Sequence, residues 1–323
     1  MNSILYPIKF DPILKDKIWG GSKLTEKLNK VSDLNNLGES WEISDVDGDT
    51  SIVSNGSLKG KSLQELLVRF GADILGQKNH ETFGNKFPLL IKFIDAKQDL
   101  SIQLHPNDQL AAERHNSFGK TEMWYVMQAD DDANLIVGFN KKVTPQEYLK
   151  HLEDKTLTKI LNFEEVKEGD TYFIEVGRVH AIGAGVMLAE IQQTSDITYR
   201  VYDWDRVDDE GNARELHNDL AIDAIDFNME DNFKVDYAKD TNVSNLMVDC
   251  PYFKTSFLDL DQPVKKKNVK DSFYIYMCVD GTAEIETDNY ALNVSKGETV
   301  LVPASIKSYR INTNKAKFLE VYV

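Results

Sequence analysis

Short apolar runs, many of them rich in β-branched and aromatic residues, recur along the whole chain and are separated by Gly, Asp and Asn. Representative runs are TSIVS, LLIKFI, MWYVM, NLIVGF, TYFIEV, ITYRVYDW, SFYIYMCV, TVLVPA and FLEVYV. Runs of this kind predict β-strands, and their number favours a sandwich or barrel over alternating β–α units. The pattern therefore predicts a mainly β protein.

Helical spacing of apolar residues is less frequent, and it predicts helices over residues 62–70, 144–152 and 214–227. The first helix begins after Ser62, a residue type that favours the N-cap position. The second begins after Thr144, with Pro145 at the first helical position and Glu147 three residues after the cap. This arrangement predicts a capping box.

The best candidate for a domain boundary is the polar stretch at residues 229–245. Strand-like runs resume after it and continue to Val323, which indicates a compact all-β module of about 80 residues. A chain of 323 residues fits two domains at about 150 residues each. We therefore expect a first domain at residues 1–238 and a second at residues 239–323.

Charge and cysteine content narrow the function classes. The chain has 37 Lys and Arg against 53 Asp and Glu, a net charge of −16. This balance argues against nucleic acid or an anionic membrane as the main partner, because both require a basic surface. The two isolated cysteines, Cys250 and Cys278, form neither a metal-binding pair nor a disulfide framework. With no uninterrupted apolar stretch long enough for a signal or a membrane span, we expect a soluble cytoplasmic protein.

The segment LSIQLHPND at residues 100–108 carries the first candidate chemistry. Alternate residues of a strand lie on one face. The apolar residues that the pattern places on the core face are Leu100, Ile102 and Leu104. Gln103 and His105 then project together from the opposite face, where they could bind a metal ion.

Two more metal-binding side chains follow in the sequence. Glu122 comes 17 residues after His105, a separation that suits a neighbouring antiparallel strand, and His180 follows a strand and a turn at Gly177. The candidate ligands are thus Gln103, His105, Glu122 and His180. They form a mixed nitrogen and oxygen set that suits zinc and can leave a coordination position open. Ligand type alone leaves iron, manganese and cobalt open.

The spacing of these residues resembles the two motifs of the cupin double-stranded β-helix. In the first motif, Gln103 stands where a His is usual; in the second, Gly177 and His180 match, while Glu175 stands where Pro is usual. A second, diluted copy lies near the C-terminus, where Ser305 and Ser308 replace the glycine and the histidine of the second motif. We therefore expect no metal site in the C-terminal module.

A longer set of ordered segments resembles the class I phosphomannose isomerases, in their short bacterial form. The segments are IWGG (18–21), GESWEIS (38–44), FPLLIKFIDA (87–96), QLHPND (103–108), GKTEMWYV (119–126), GRVHAIGAGVMLAEIQQTSDITYRVYDWDR (177–206) and RELH (214–217). The resemblance implies a mainly β fold with a few helices. It further implies two cupin-type jelly-roll β-barrel domains, of which only the first holds a metal.

The family resemblance also implies a reaction and roles for residues. It implies a zinc-dependent aldose–ketose isomerase that interconverts mannose 6-phosphate and fructose 6-phosphate through an enediol or enediolate. The implied zinc ligands are Gln103, His105, Glu122 and His180. The implied catalytic residues are Arg200, Lys120 and Glu190.

Several roles stay open at the level of the sequence. Glu190 is either the general base or a residue that orients another group, and His115 and His217 are alternative bases. The dianionic substrate requires a locally positive pocket, for which the candidates are Lys120, Arg200, Arg178 and Arg206. Two other functions on the same scaffold are a non-catalytic sugar-phosphate sensor and a different metal-dependent cupin enzyme. The expected partner is a small sugar phosphate, and the sequence gives no oligomeric state.

Overall fold

The structure is a computed structural model that describes residues 5–208, 210–230 and 232–323. Its strands, in chain order, are β1 (Phe10–Asp11), β2 (Ile13–Gly21), β3 (Leu37–Ile43), β4 (Asp45–Val46), β5 (Asp49–Thr50), β6 (Ile52–Val53), β7 (Leu89–Asp95), β8 (Ile102–Leu104), β9 (Glu122–Ala129), β10 (Asn134–Phe139), β11 (Leu161–Glu165), β12 (Thr171–Ile174), β13 (His180–Ile182), β14 (Val186–Gln193), β15 (Tyr199–Tyr202), β16 (Ser244–Asp249), β17 (Lys254–Leu260), β18 (Val264–Lys267), β19 (Tyr274–Thr287), β20 (Tyr290–Ser295), β21 (Thr299–Val302) and β22 (Ser308–Tyr322).

The helices are fewer than the strands. They are α1 (Lys23–Leu28), α2 (Leu63–Leu75), α3 (Gln77–Phe83), α4 (Asp108–His115), α5 (Pro145–Glu153) and α6 (Asn218–Ala221), with 3₁₀ turns at Gly56–Leu58 and Leu157–Ile160. The prediction of a mainly β protein with a few helices is confirmed. Across the described residues, no helix is long and apolar enough to cross a membrane.

Three antiparallel sheets make up the body of the molecule. A six-stranded sheet has the order β12-β9-β14-β7-β3-β2, and a five-stranded sheet has the order β11-β10-β13-β8-β15. A seven-stranded sheet contains the C-terminal strands in the order β16-β17-β22-β19-β20, with β18 paired to β22 and β21 paired to β19. The strands β1 and β6, and β4 and β5, form two small ribbons.

Local capping fixes the starts of two predicted helices. The Ser62 hydroxyl accepts the Glu65 backbone N–H at 3.1 Å, and the Glu65 carboxylate accepts the Ser62 N–H at 2.8 Å, so α2 begins with a complete capping box. At α5, Thr144 accepts the Glu147 N–H at 3.2 Å, but the Glu147 carboxylate pairs with Lys141 instead. The second helix and its cap are as predicted, and the reciprocal half of its capping box is absent.

The helix predicted at residues 214–227 was wrong in its extent, because only Asn218–Ala221 is helical. The preceding residues are tied to β15 by long-range bonds. The Arg200 guanidinium donates to the Glu215 carbonyl at 2.8 Å, and the His217 N–H donates to the Arg200 carbonyl at 2.7 Å. Of the four apolar residues that suggested a helix, Leu220 packs against a core cluster from α6, and Ala224 and Phe227 pack against it from the segment after α6. The fourth, Leu216, is exposed.

The six-stranded and seven-stranded sheets share one hydrophobic core. Buried residues from both sides contribute to it, among them Leu89, Ile91, Phe93, Met123, Ala189, Phe257, Phe273, Ile275, Met277, Leu319 and Val321. Ile8 and Leu301 exchange two backbone hydrogen bonds of 2.8 Å across this junction. Burying one large apolar side chain stabilises a fold by about 1.5–3 kcal/mol, so the C-terminal sheet and the rest of the chain stabilise each other.

The polar stretch at residues 229–245, in which Asp231 lies outside the described residues, contains no helix or strand in its described part before Ser244. Isolated bridges attach it to both sides: Lys234 pairs with Tyr172, and Thr241 pairs with Asp259. The domain boundary at residues 238 and 239 stays a prediction.

Candidate active site

The candidate site lies between the six-stranded and five-stranded sheets. On the five-stranded sheet, Gln103 of β8 pairs directly with His180 of β13 and with Arg200 of β15. Paired residues of neighbouring antiparallel strands place their side chains on the same face of the sheet. These three side chains, and His105 just beyond β8, are therefore brought to one region.

The six-stranded sheet supplies the opposite wall. Glu190 of β14 pairs with Lys92 of β7 and with Trp124 of β9, and Glu122 lies two residues before Trp124 on the same face. We expected Glu122 on a strand adjacent to that of His105, and this expectation was wrong. Helix α4 carries the chain from one sheet to the other, so the two side chains meet across the space between the sheets.

The position of Leu100 also differs from the prediction. Ile102 and Leu104 pack together in one core cluster, whereas Leu100 packs with Trp19 and Ile94 in another. The alternation fails because strand β8 begins only at Ile102. Leu100 consequently lines the cleft in which the polar residues lie.

His105, Glu122 and His180 form a compact set of metal-binding groups. One ligand atom from each lies within 4.8 Å of the others, and all three residues are buried. Each histidine places Nδ1 at 2.8 Å from a backbone carbonyl, of Ile197 for His105 and of Arg178 for His180. Because a carbonyl only accepts, Nδ1 carries the proton in each ring and Nε2 carries a lone pair; that of His105 faces the Lys120 ammonium at 3.1 Å.

The unpaired atoms of this set point to a cation. His105 Nε2 lies 3.5 Å from one Glu122 oxygen and His180 Nε2 lies 3.6 Å from the other. Glu122 Oε1 and His180 Nε2 are buried and have no hydrogen-bond partner among the described residues, and Glu122 Oε2 has only the Lys120 ammonium, 2.9 Å away. Buried polar atoms are normally paired, so this donor set fits a metal ion with nitrogen and oxygen ligands.

Burial shapes the protonation of the three residues. It lowers the pKa of His180 to about 3, and burial followed by the nearby Lys120 charge lowers the pKa of His105 well below its usual range. Burial, and then the charge of Glu190, raises the pKa of Glu122 to about 7, against the opposing effect of Lys120. Both imidazoles are therefore neutral near pH 7, the form that binds metal.

Lys120 and Gln103 complete the surroundings of this set. The Lys120 ammonium lies 2.9 Å from Glu122 as an ion pair and 3.1 Å from His105 Nε2. It lies on the same side as Glu122, as the extended sequence suggested. Gln103 lines the same cleft beside His180, and its amide oxygen accepts the Ser101 hydroxyl at 3.1 Å. Its role as a fourth ligand stays a prediction.

Glu190 is held from two sides deep in the cleft. Lys92 Nζ lies 3.0 Å from one carboxylate oxygen, and the Trp124 indole donates to the other at 2.9 Å. Burial raises the pKa of Glu190, but Lys92 and then Lys120 outweigh it and bring the pKa to about 2. A carboxylate held in this way is a fixed negative charge near neutral pH.

The mouth of the cleft carries two guanidinium groups. Arg200 donates to the Ser101 hydroxyl at 3.3 Å and to the Glu215 carbonyl at 2.8 Å. Arg214 donates to Asp203 at 2.7 Å through Nε and makes a second contact to the same carboxylate. Burial, and then the nearby charge of Arg214, lowers the pKa of Arg200. Two cations this close provide a site for an anion.

The cleft is a locally basic cavity of about 420 Å³ in a strongly acidic chain. Its basic lining residues are Lys15, Lys17, Lys92, Lys120, Arg200 and Arg214, and its acidic ones are Glu39, Asp49, Glu190 and Asp196. Basic side chains outnumber acidic ones in this lining, so an anionic ligand can bind here although the whole chain is acidic.

Family comparisons agree with this geometry. The model "Phosphomannose isomerase type I, catalytic domain" matches residues 8–135, and "Mannose-6-phosphate isomerase, cupin domain" matches residues 242–323. The chain is 33% identical over 308 residues to mannose-6-phosphate isomerase ManA of Bacillus subtilis (strain 168), covering 94% of this chain and 95% of the relative. The chain belongs to the type I phosphomannose isomerase family.

Other members of the family match at similar length. The mannose-6-phosphate isomerase of Streptococcus mutans is 34% identical over 317 residues, which is 95% of both chains. The crystal structure of the mannose 6-phosphate isomerase from Bacillus subtilis covers 99% of this chain with a TM-score of 0.87 and 30% identity. The resemblance to class I phosphomannose isomerases predicted from the sequence is confirmed.

Two of the predicted basic residues lie away from the cleft lining. Arg178 donates to the Phe173 carbonyl at 3.0 Å and pairs with Glu175 at 2.9 Å. Arg206 pairs with Asp203 and donates to the Asp99 carbonyl at 2.7 Å. Both guanidinium groups thus support the backbone around the site.

The two alternative bases also have structural contacts. His115 ends α4 and lies 2.9 Å from the Tyr199 hydroxyl. His217 Nδ1 accepts the Arg200 backbone N–H at 3.1 Å. These contacts place His217 behind Arg200, where it positions that residue.

A set of hydrogen bonds holds the loop that carries Lys120. Asp108 accepts the Gly119 N–H at 2.9 Å and the Gln193 amide at 3.1 Å, and Gln193 in turn accepts the Thr121 N–H at 2.9 Å. The other Asp108 oxygen accepts the Tyr252 hydroxyl at 2.7 Å. Tyr252 lies in the turn before β17, so the C-terminal region contributes directly to the position of this loop.

Some residues of this site were missed by sequence reasoning, among them Lys15, Lys17, Glu39, Trp41, Lys92 and Arg214. One of them had a local signal. Lys92 is the lone charge in the apolar run LLIKFI, and a charge in a buried strand marks a paired or functional group. The others reach the cleft only through the pairing of distant strands.

Proposed function

We propose that the chain is a metal-dependent aldose–ketose isomerase that interconverts mannose 6-phosphate and fructose 6-phosphate. The observation that carries the proposal is the coincidence of a compact His–Glu–His set, in which Glu122 Oε1 and His180 Nε2 lack a hydrogen-bond partner among the described residues, with a basic cleft large enough for a sugar phosphate. Relatives that match nearly the whole chain are named for this reaction. The sensor and the other cupin enzyme are therefore not favoured.

His105, Glu122 and His180 would hold the metal ion, with Gln103 as fourth ligand, and we propose zinc. Two neutral imidazoles and a carboxylate suit zinc, and a bound ion would polarise the carbonyl and hydroxyl oxygens of the sugar. The two Nδ1 bonds to backbone carbonyls orient both rings before any metal arrives. Such preorganisation reduces the cost of assembling the site.

Arg200 and Arg214 are the groups that we assign to the phosphate. Both lie at the cleft mouth, and a guanidinium can bind phosphate oxygens in a bidentate manner. Asp203 fixes Arg214, and Ser101 with the Glu215 carbonyl fixes Arg200. The sugar would then extend from the mouth inwards toward the metal-binding residues.

Lys120 contacts the substrate and Glu190 acts as an orienting group. The Lys120 ammonium lies beside the ligand atoms, where negative charge develops on the substrate oxygens, and a fixed cation stabilises such charge. Glu190 is occupied by Lys92 and Trp124 on its two oxygens. This carboxylate therefore maintains the orientation and charge of Lys92, and we do not assign it the transfer of a proton between C1 and C2.

We propose that the two regions of the chain are separate cupin-type domains. The first, residues 1–238, would carry the metal in a jelly-roll β-barrel, and the second, residues 239–323, would be a jelly-roll barrel without metal ligands. The matches of the two family models on either side of residues 136–241 support this division. The free thiols of Cys250 and Cys278 support a reducing compartment, and we propose the cytoplasm.

A coupled assay that converts mannose 6-phosphate to fructose 6-phosphate, run before and after chelation, tests the function. We expect activity to be lost with the chelator and restored by added Zn²⁺. Absence of turnover in metal-replete, folded protein would overturn the proposal. Retention of full activity after complete metal removal, checked by elemental analysis, would overturn its metal dependence.

A further inference from the structure

A second cleft, of about 370 Å³, opens on the seven-stranded sheet. Its lining residues are Ser244, Leu246, Asp249, Lys254, Ser256, Lys266, Lys267, Tyr274, Tyr276, Tyr309, Glu320 and Tyr322. Alternate residues of β19 face opposite ways: Tyr274 and Tyr276 line this cleft, whereas Ile275 and Met277 lie in the core shared with the six-stranded sheet. The cleft therefore lies on the side of the sheet that faces away from that core.

A buried carboxylate forms the floor of this cleft. Glu320 is only 4% exposed and accepts the Ser244 hydroxyl at 2.6 Å, the Tyr276 hydroxyl at 2.7 Å and the Lys266 ammonium at 2.5 Å. Because Tyr276 donates to Glu320, the Tyr309 hydroxyl, 2.7 Å away, is the donor to Tyr276. A buried charge is costly unless it is paired, and here three partners hold it in one orientation.

The floor retains unused hydrogen-bonding capacity. Ser256 is 6% exposed, lies directly beside Glu320 in the strand pairing and lines the cleft. The Lys266 ammonium donates to Ser244 and Glu320 and keeps one further N–H. A donor from Lys266, the carboxylate of Glu320 and the hydroxyl of Ser256 thus lie side by side in the lining.

Aromatic rings and lysines form the wall and rim. The ring centroids of Tyr274 and Tyr322 lie 5.2 Å apart, and the ring planes are inclined by 43°. The two rings therefore contact each other and leave no space for a third ring between them. Lys254 and Lys267 lie at the rim. Lys254 pairs with Asp249 at 2.6 Å, whereas Lys267 has no ion-pair partner in the described part of the chain. The cleft thus combines a carboxylate floor, an apolar wall and a basic rim.

We propose that this second cleft binds a pyranose sugar. Vicinal hydroxyl groups of a sugar can both donate to Glu320 and accept from Lys266 and Ser256, and the C–H face of the ring can pack on a tyrosine. The carboxylate floor repels a phosphate group, whereas the lysines at the rim attract one. The same pyranose chemistry could therefore come from a free sugar or from a sugar phosphate whose phosphate points outwards.

Amide chemical shifts of the ¹⁵N-labelled, metal-loaded full chain, titrated separately with D-mannose and D-mannose 6-phosphate, test the proposal. We expect saturable shifts at Ser256 and Glu320 with both probes and a Kd of roughly 1 mM. Tyr322→Ala should weaken binding about tenfold through loss of the ring contact, and Ser256→Ala about threefold through loss of a hydroxyl. Circular dichroism establishes that each variant is folded.

Neighbouring lysines on β18 provide a matched control. Lys267 lines the cleft and Lys265 does not, although both are exposed. Lys267→Ala should weaken the binding of mannose 6-phosphate and leave that of mannose unchanged, while Lys265→Ala should change neither. The proposal would be overturned if no saturable shift appeared up to roughly 50 mM of either sugar. It would also be overturned if folded Ser256→Ala and Tyr322→Ala both bound the sugars as tightly as the unmodified protein. Binding of the phosphate ester alone would overturn pyranose recognition.

The outcome is independent of the proposed catalytic function. Tyr322 and Ser256 lie on the C-terminal sheet and do not line the catalytic cleft. The kcat/KM of these two variants for mannose 6-phosphate should equal that of the unmodified protein. If the unmodified protein turned over mannose 6-phosphate but showed no sugar binding at the second cleft, only the proposal of the second site would be overturned.

Discussion

The catalytic cleft and the cleft on the C-terminal sheet both place a glutamate on the buried face of an antiparallel sheet, but they treat its charge differently. Glu320 has three hydrogen-bonding or ionic partners from neighbouring strands. Glu122 pairs with Lys120 through Oε2, yet its Oε1 has no hydrogen-bond partner among the described residues. Unsatisfied buried groups are tolerated where a ligand completes them. The contrast separates a carboxylate that needs a metal from one that stabilises its own sheet.

The largest expected effect is on the metal-binding side of this comparison. His105→Ala should lose the metal and lower kcat/KM at least about 1000-fold, since it removes a ligand and the polarisation that the ion supplies. The fold should persist, because the surrounding sheets keep their apolar contacts. Elemental analysis, circular dichroism and the coupled assay measure the three outcomes. Full activity in a metal-free variant would contradict the assignment.

The second effect should be on stability and not on activity. Glu320→Gln places an amide N–H₂ among donors from Ser244, Tyr276 and Lys266, and should lower the free energy of unfolding by about 2 kcal/mol. The exposed Glu286→Gln, on the same sheet, should change it by less than about 0.5 kcal/mol. Urea unfolding measures both. Equal stability of the two variants would remove the distinction drawn between the clefts.

A smaller effect should connect the two regions. Tyr252→Phe removes the hydroxyl that donates to Asp108, and should lower kcat about fivefold at unchanged metal content, because about 1 kcal/mol of positioning is lost. Tyr290→Phe is a matched control, since the Tyr290 hydroxyl accepts from Asn55 across the same junction but far from the Lys120 loop. If both variants lower kcat equally, the hydrogen bond between Tyr252 and Asp108 acts only by holding the C-terminal sheet against the rest of the chain, and not by positioning the Lys120 loop.

The smallest effect should appear in the pH dependence of stability. Burial raises the pKa of Asp203, but Arg214 and then Arg206 outweigh it, so the folded pKa lies below the ordinary value of 3.8. Its contribution is therefore present above that value and is lost as the pH falls through the folded pKa. Asp203→Asn should be less stable by under about 1 kcal/mol at pH 7, and the gap should close on acidification. A gap that is constant from pH 7 to about pH 3 would exclude this linkage.

Features that depend on neighbouring residues could be predicted from the sequence, and features that depend on sheet assembly could not. The cap at Ser62 needs only Glu65, three residues on, and it forms as expected. The periodicity at residues 214–227 identifies Leu220, Ala224 and Phe227 as core-facing but is wrong for Leu216, which is exposed. Bonds between this segment and Arg200 replace most of the helix. Local propensity is weak compared with such tertiary contacts.

The candidate site shows the same limit. His105, Glu122 and His180 were selected by residue type and spacing, and the structure brings them together, but across two sheets and not on adjacent strands. The bond between Tyr252 and Asp108 joins residues 144 positions apart. No local pattern marks such a pair, because it exists only after the C-terminal sheet has docked.

The hydrophobic core shared by the six-stranded and seven-stranded sheets stays incomplete during part of translation. Ile91, Phe93 and Met123 present an apolar surface that Met277 and Leu319 cover, and these two residues are synthesised after the other three. Leu319 follows Met123 by 196 residues, so at about 5–20 residues per second the surface stays open for roughly 10–40 s. A translational pause ahead of this sheet would lengthen the exposure of that surface to aggregation and to holdase chaperones.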